Sequence, residues 1–252
     1  MMMLKILKRV QMVHPCLLIT GGGQRIGAQI ARYFAERHWE VIIHANQSIE
    51  LAKQLAIDLR NQGGSAHVVQ GDLCSMQGIT QVMQDASQCV QRPIQVLINN
   101  AAIFKKDQLE TLTEKNWDVQ MEINAKAPVF LAQLFVRQLL GTNGQIIQIL
   151  DQRVVRPTQY LLSYTVSQFA LLGATHVLAR SLAPQVRVNA VAPGLVLASN
   201  DGEENEWFTA QQQTLPLSIP PSGLHVAQAI DFLIQTPCIT GHIIPIDSGE
   251  SL

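Results

Sequence analysis

The sequence predicts one α/β domain, a doubly wound parallel sheet of seven strands with helices on both faces. Three observations carry that expectation. Seven short apolar runs alternate with longer amphipathic segments, the pattern of a parallel sheet covered on each side. Nearly half of the 252 residues are apolar and only 15% are charged, a composition that fills a substantial core and argues against disorder. No linker or internal repeat interrupts the chain, whose length suits one large domain. Right-handed crossovers then make double winding the economical arrangement.

The first strand is expected in PCLLITGGG, which runs into a glycine turn, and the helix IGAQIARYFAERH follows with Ile26, Ile30, Tyr33 and Phe34 at helical spacing. WEVIIHA reads as a strand, SIELAKQLAIDLRNQGG as a helix stopped by glycine, SAHVVQGDL as a strand and MQGITQVMQDASQCV as a helix. IQVLINNAA is the fourth strand, before a long helical region, NWDVQMEINAKAPVFLAQLFVRQLL. Then come the strand GQIIQILD, the helix YLLSYTVSQFALLGATHVLARSLA and the strand VRVNAVAPG. The helix GLHVAQAIDFLIQT and the strand GHIIPIDSG complete the series.

One segment breaks the rhythm. Residues 195–223 are polar and Pro-rich and read as a long loop. Such a loop at a strand's C-terminal end, where open α/β sheets bind ligands, is expected to be a substrate lid, with a surface excursion as the alternative. Residues 1–12 are expected to be a flexible leader, since Lys5, Lys8 and Arg9 break up their apolar residues. No run of about 18 apolar residues is present, so no membrane span is expected. The net charge of −1 gives no reason to expect a nucleic-acid surface. Cys16, Cys74, Cys89 and Cys238 are far apart and form no CxxC pair, so they read as thiols of a reducing compartment without a metal. The expected location is the cytoplasm.

TGGGQRIG, from Thr20 to Gly27, links the first strand to the first helix. Glycine permits tight turning and close approach of backbone to a ligand, and the helix start offers N–H groups and a positive dipole end to phosphate. That placement favours a dinucleotide. NAD-selective folds carry an acid about 20 residues on, for the ribose 2′-hydroxyl. Here the second strand ends in HANQS, from His44 to Ser48, without a carboxylate. Arg25 and Ser48 could instead serve a 2′-phosphate, so NADP(H) is expected in preference to NAD(H).

TGGGQRIG, GDL, NNAA, the asparagine of EIN, a tyrosine in a long helix, VNAVAPG and PIDSG occur in this order. Together they resemble the short-chain dehydrogenase/reductase family over residues 13–249, and hence a Rossmann-type fold. Arg25 in place of the middle glycine, and Asp151 where most members carry serine, look like the pteridine reductase and dihydromonapterin reductase branch. The resemblance implies that Gly21, Gly22, Arg25 and Ile26 line the cofactor phosphates and that His44 and Ser48 lie at the adenosine ribose. It implies Asp72 and Leu73 at the adenine, Asn99 and Ala101 at a ribose and strand end, and Pro193, Gly194 and Leu195 beside the nicotinamide. It implies Phe104 stacked on a pterin, Asp151 and Tyr164 as the proton-handling pair, and Asn124 as holder of a relay water. It also implies a homotetramer or homodimer formed through the two long helices; the apolar face of Phe130, Leu134, Leu171 and Leu178 fits that and fits packing on the sheet equally.

Two positions depart from the branch. Gln47 stands where an arginine usually grips the 2′-phosphate, and Gln168 stands four residues after Tyr164 where the family carries lysine. Residues four apart share a helix face. Glutamine can still hydrogen-bond a ribose hydroxyl, but it carries no charge to lower the tyrosine's pKa from ~10. An alcohol dehydrogenase needs the phenolate; a reductase needs the phenol, the dominant form without help. Arg153 and Lys126 are expected to face solvent rather than replace the charge. The reading is therefore an NADPH-dependent reductase of a pterin-like substrate. The alternatives are a nucleotide-binding homologue impaired in catalysis, which works as a sensor or subunit, and a ketone or 3-ketoacyl thioester reductase.

Overall fold

The structure, a computed structural model, describes residues 14–196 and 204–252. The expected leader, 1–12, and residues 197–203 of the expected lid lie outside the described residues. All seven strands form: β1 (Cys16–Ile19), β2 (Glu40–Ala45), β3 (Ser65–Gln70), β4 (Val96–Asn99), β5 (Gly144–Ile149), β6 (Val186–Pro193) and β7 (Ile243–Ile246). They make one sheet in the order β3-β2-β1-β4-β5-β6-β7, and every neighbouring pair is parallel. Between them run α1 (Arg25–Ala35), α2 (Ile49–Asn61), α3 (Met76–Val90), α4 (Glu114–Met121), α5 (Ala127–Gln138), α6 (Leu162–Leu182), α7 (Glu204–Gln213) and α8 (Gly223–Gln235).

Successive strand residues point to opposite faces, and each face has its own core. Ile19, Ile43, Ile98 and Ile147 pack against α1, α2 and α8. Their neighbours Leu18, Ile42, Leu97 and Ile146 pack against α3, α5 and the end of α6. Burial on both sides explains why the strands read as continuous apolar runs. Leu171 is buried, and Phe130, Leu134 and Leu178 pack partly buried against the sheet core. Phe130, Leu134 and Leu178 each keep part of their surface open. On α6, Phe169 and Val177 remain exposed.

Two expectations need correction. Within 195–223, residues Glu204–Gln213 form α7. Ala210, Glu204, Glu206 and three glutamines are helix formers, so polarity there had concealed a helix. The long region from Asn116 is not one regular helix either. A π-helical turn, Glu122–Lys126, joins α4 to α5 and holds Asn124. No helix among the described residues is long and apolar enough to cross a membrane.

The chain winds from β1 to β2 and β3, then returns to place β4 on the other side of β1. Strand order reverses there, and a crevice opens at the strands' C-terminal ends. The loops after β1, β2, β4, β5 and β6 leave that edge.

Candidate active site

The glycine turn forms one wall of the crevice, and its shape is set from behind. Gly21 has φ of +60°, and a Cβ there would lie 2.9 Å from the Ala101 Cα. A Cβ on Gly27 would lie 2.4 Å from the Gly21 carbonyl oxygen. Thr20 Oγ1 accepts from the N–H groups of Asn100 and Ala101, both at 3.0 Å. Asn100 Nδ2 donates back to the carbonyls of Thr20 and Gly21 at 2.9 and 3.0 Å. Loop and β4 are thereby stitched together. Arg25 opens α1 with φ of +53°, a left-handed conformation that costs a non-glycine residue roughly 1–2 kcal/mol. Its side chain lines the crevice with Ile26.

His44 is buried behind the same turn. Its Nδ1 lies 3.3 Å from the Gly21 nitrogen and its Nε2 lies 3.0 Å from the Gly71 carbonyl oxygen. An N–H faces one ring nitrogen and a carbonyl faces the other, so the neutral tautomer protonated at Nε2 is the one that satisfies both. Burial lowers the His44 pKa, against smaller opposing contributions from the Gly71 carbonyl and Asp72. Acid therefore works against this turn. Above the ordinary value of 6.5 His44 is neutral in both folded and unfolded chains, and its protonation costs nothing. As pH falls from 6.5 toward the lower folded value, the unfolded chain takes up the proton first and stability declines. The decline is expected to be shallower in His44→Gln, whose amide can keep both hydrogen bonds without titrating. Melting temperatures of the two proteins across that range check it; parallel curves would refute it.

At the adenosine end, Asn46, Gln47 and Ser48 line the crevice opposite Asp72 and Leu73. Asp72 Oδ1 accepts from the Cys74 N–H at 3.0 Å and lies 3.4 Å from Asn46 Nδ2.

The other end gathers the chemistry. Asp151 follows β5 and caps a 3-10 turn, Gln152–Val154, by accepting from the Arg153 N–H at 2.9 Å. Arg153 Nη1 donates to both Asp151 oxygens at 3.0 and 2.9 Å. The Tyr164 hydroxyl donates to Asp151 Oδ2 at 3.1 Å. The Phe104 ring meets Tyr164 edge to face, with centroids 4.9 Å apart at 68°. Phe104 itself is 49% exposed, so an aromatic face is left open to a planar ligand. Burial drives the Tyr164 pKa well above 10, the adjacent Asp151 charge adds to that rise, and Arg153 opposes it. The phenol is thus fully protonated at neutral pH.

One turn further along α6, Gln168 is buried and also lines the crevice. Its Oε1 has no protein hydrogen-bond partner. A buried amide oxygen left this way costs about 1–3 kcal/mol, which a ligand hydroxyl reaching it would recover.

The loop that bears Phe104 is pinned from α4 and α6. Asn124 Oδ1 accepts from the Ile103 N–H at 2.8 Å, and its Nδ2 donates to the Ile103 carbonyl at 2.9 Å and to Ser167 Oγ at 3.0 Å. Gln120 Oε1 accepts from the Lys105 N–H at 3.2 Å. Asn116 Nδ2 donates to Asp107 Oδ2 at 2.7 Å. The buried Asp107 carboxylate accepts from the Ser163 N–H at 3.0 Å and from the Ser163 hydroxyl. An anion at the start of α6 is also favoured by the helix dipole.

A family model described as short chain dehydrogenase matches residues 15–209. The chain belongs to the short-chain dehydrogenase family. Its members are oxidoreductases, and this chain is one. A dihydromonapterin reductase from Enterobacter sp. (strain 638) is 30% identical over 94% of this chain and 96% of its own. Among solved structures, FolM alternative dihydrofolate reductase 1 from Brucella canis, complexed with NADP, is 34% identical with a TM-score of 0.88, covering 94% of each chain. A short chain dehydrogenase from Burkholderia cenocepacia J2315, in complex with NADP, is 27% identical with a TM-score of 0.86 over 93% of this chain and 97% of that one.

Within this short-chain dehydrogenase, most residues singled out from sequence meet in one crevice. Gly21, Arg25, Ile26, His44, Ser48, Asp72, Leu73 and Ala101 line one part of it. Phe104, Asp151, Tyr164, Gln168, Pro193, Gly194 and Leu195 line the other. Three placements differ from expectation. A Cβ on Gly22 would meet Ile19 Cγ2 at 2.8 Å, so this glycine serves packing against the strands. Asn99 is buried beneath the crevice, 3.5 Å from the Pro128 carbonyl, and Asn100 takes the brace position instead. Asn124, expected beside a relay water, bonds the Ile103 backbone and Ser167 with its side chain. Arg153 does not face solvent; its side chain is 17% exposed and ion-paired. Lys126 is 43% exposed, 3.8 Å from Glu122.

Sequence reasoning missed Asp107, Gln120 and Glu250. Glu250 Oε2 accepts from the Leu195 N–H and Oε1 from Gln152 Nε2, both at 3.1 Å, so the C-terminal segment ties both strand ends at the reacting end together. A signal for the first two was present. Asn116, Gln120 and Asn124 repeat every four residues, an amide stripe on one helix face. Nothing in the local sequence marks Glu250.

Proposed function

We propose that the protein is an NADPH-dependent reductase of a pterin-like substrate, of the dihydropterin or dihydrofolate class. The observation that carries this reading is the Tyr164–Asp151 hydrogen bond of 3.1 Å beside an exposed aromatic ring, Phe104. The names of the relatives support the same substrate class.

The residues present fit the cofactor. The turn at Gly21 leaves no room for side chains where a pyrophosphate approaches, and α1 begins there with Arg25. The unpartnered Gln168 oxygen suits a ribose hydroxyl. The β2 end presents Asn46, Gln47 and Ser48 with no carboxylate among them, so a 2′-phosphate meets no repulsion from that strand. When bound, NADPH supplies the hydride. Pro193, Gly194 and Leu195 would border the nicotinamide, and Phe104 would hold the substrate ring. Tyr164 and Asp151 deliver the proton that the reduced ring nitrogen takes up. A phenol with its pKa raised well above 10 stays protonated at neutral pH, the form that a reductase needs. Free thiols throughout support a cytoplasmic setting. The exposed Phe169 and Val177 on α6 support assembly as a homodimer or homotetramer.

The test is a melting-temperature panel followed by turnover. NADPH is expected to raise the melting temperature more than NADH at equal concentration, because a ligand stabilises the state it binds. NADPH oxidation is then expected with a dihydropterin and not with a 3-ketoacyl thioester. Cofactor stabilisation without oxidation by any pterin would leave the nucleotide-binding reading in its place.

A further inference from the structure

We infer that Arg153 supplies, from the far side of Asp151, the positive charge that position 168 lacks, so that the site is a cation–carboxylate–phenol relay. Its turnover arm rests on the reductase reading; its spectroscopic arm does not.

The geometry is specific. Arg153 and Asp151 sit two residues apart on one tight turn, and the Asp151 carboxylate fixes that turn by capping it. One guanidinium nitrogen reaches both carboxylate oxygens at 3.0 and 2.9 Å, while the Tyr164 hydroxyl reaches Oδ2 at 3.1 Å. The ion pair is 17% and 14% exposed, so solvent screens it little. The guanidinium carbon lies 5.8 Å from the Phe104 ring centroid, within cation–π range. Arg153 therefore touches the carboxylate, flanks the aromatic wall and stays out of water.

A cation in that position has a definable task. Burial and the Asp151 charge both make Tyr164 a weaker acid, and Arg153 is the group that opposes them. Elsewhere in the family a lysine four residues after the tyrosine is expected to do this, and here that position is Gln168. The other charged groups near this end are Lys106, which lines the same crevice, and Glu250 and Asp247 of the C-terminal segment. Glu250 is itself influenced by Arg153 and Asp151. Arg153 bonds the carboxylate that Tyr164 also reaches.

The experiment compares Arg153→Met, which keeps length and loses charge, with Arg153→Lys, which keeps charge. Protein labelled with carbon-13 at the phenolic carbon contains three tyrosines, and the Tyr164 signal is assigned by its loss in Tyr164→Phe. In cofactor-free protein that signal is expected to move in Arg153→Met and to move less in Arg153→Lys. In turnover, Arg153→Met is expected to lower kcat by about 10–100-fold, part of the ~10²–10⁴-fold that general acid assistance contributes. KM for NADPH should change little, and the solvent isotope effect on kcat should grow. Gln168→Lys is expected to change kcat by a larger upward factor in the Arg153→Met background than beside the native Arg153, a non-additivity that independent sites do not show. A Tyr164 signal indifferent to Arg153→Met would overturn the inference. So would equal losses in the Met and Lys variants, or the same gain from Gln168→Lys in both backgrounds. An absence of pterin turnover alongside a shifted Tyr164 signal would instead count against the substrate reading alone.

Discussion

Replacing Tyr164 with phenylalanine is expected to lower kcat for NADPH-dependent reduction by about 10²–10⁴-fold, the usual share of a general acid. The substitution removes one oxygen from a buried ring that packs edge to face against Phe104, so the aromatic contact and the volume survive. It also removes the donor to Asp151 Oδ2, but Arg153 still satisfies that carboxylate. The variant should therefore fold, bind NADPH with near wild-type affinity and show the defect in kcat rather than KM. Steady-state kinetics beside a fluorescence titration of NADPH would decide it. A loss confined to KM, or a kcat within threefold of wild type, would remove Tyr164 from the chemistry.

The second large effect is expected at Asp107, which contacts none of the proposed reacting groups. Asp107→Ala deprives the Ser163 N–H, the Ser163 hydroxyl and Asn116 Nδ2 of one buried acceptor. Hydrogen bonds to a charged group are each worth about 1.5–3 kcal/mol. With partial relaxation, the loss should come to about 2–4 kcal/mol, or a melting temperature lower by roughly 4–16 °C. The functional consequence follows from position. Asp107 ties the Phe104 loop to the start of α6, and its carbonyl also accepts from the N–H groups of Leu161 and Leu162. Loosening that tie should raise KM for the pterin several-fold while NADPH affinity holds. Equal damage to both ligands would show that α6 as a whole had shifted, not the loop.

The fold was readable from sequence because both faces of the sheet are buried. Ile19 and Leu18, adjacent in the chain, serve opposite cores, and that demand writes an uninterrupted apolar run at every strand. The glycine turn was readable because φ of +60° at Gly21 and close backbone approach at Gly27 admit little else. Legibility failed where the partner is remote in the chain. Glu250 meets Leu195 and Gln152 across long separations, and Asp107 meets Ser163 from 56 residues away. Arg153 was misjudged because an arginine in a polar turn ordinarily projects into water. Here the turn folds it back onto the carboxylate two residues before it.

The π-helical turn at Glu122–Lys126 acts as a phase shifter. One surplus residue in a helix rotates everything beyond it by about 100°. Upstream of it, α4 lies against α6 and turns its amides toward the Phe104 loop; downstream, α5 lies against α3 and the sheet. A single rod could not satisfy both bearings. Excising one residue from that turn would put the amide stripe and the apolar stripe out of alignment, so the extra residue is what lets one continuous segment serve as both scaffold and fixture.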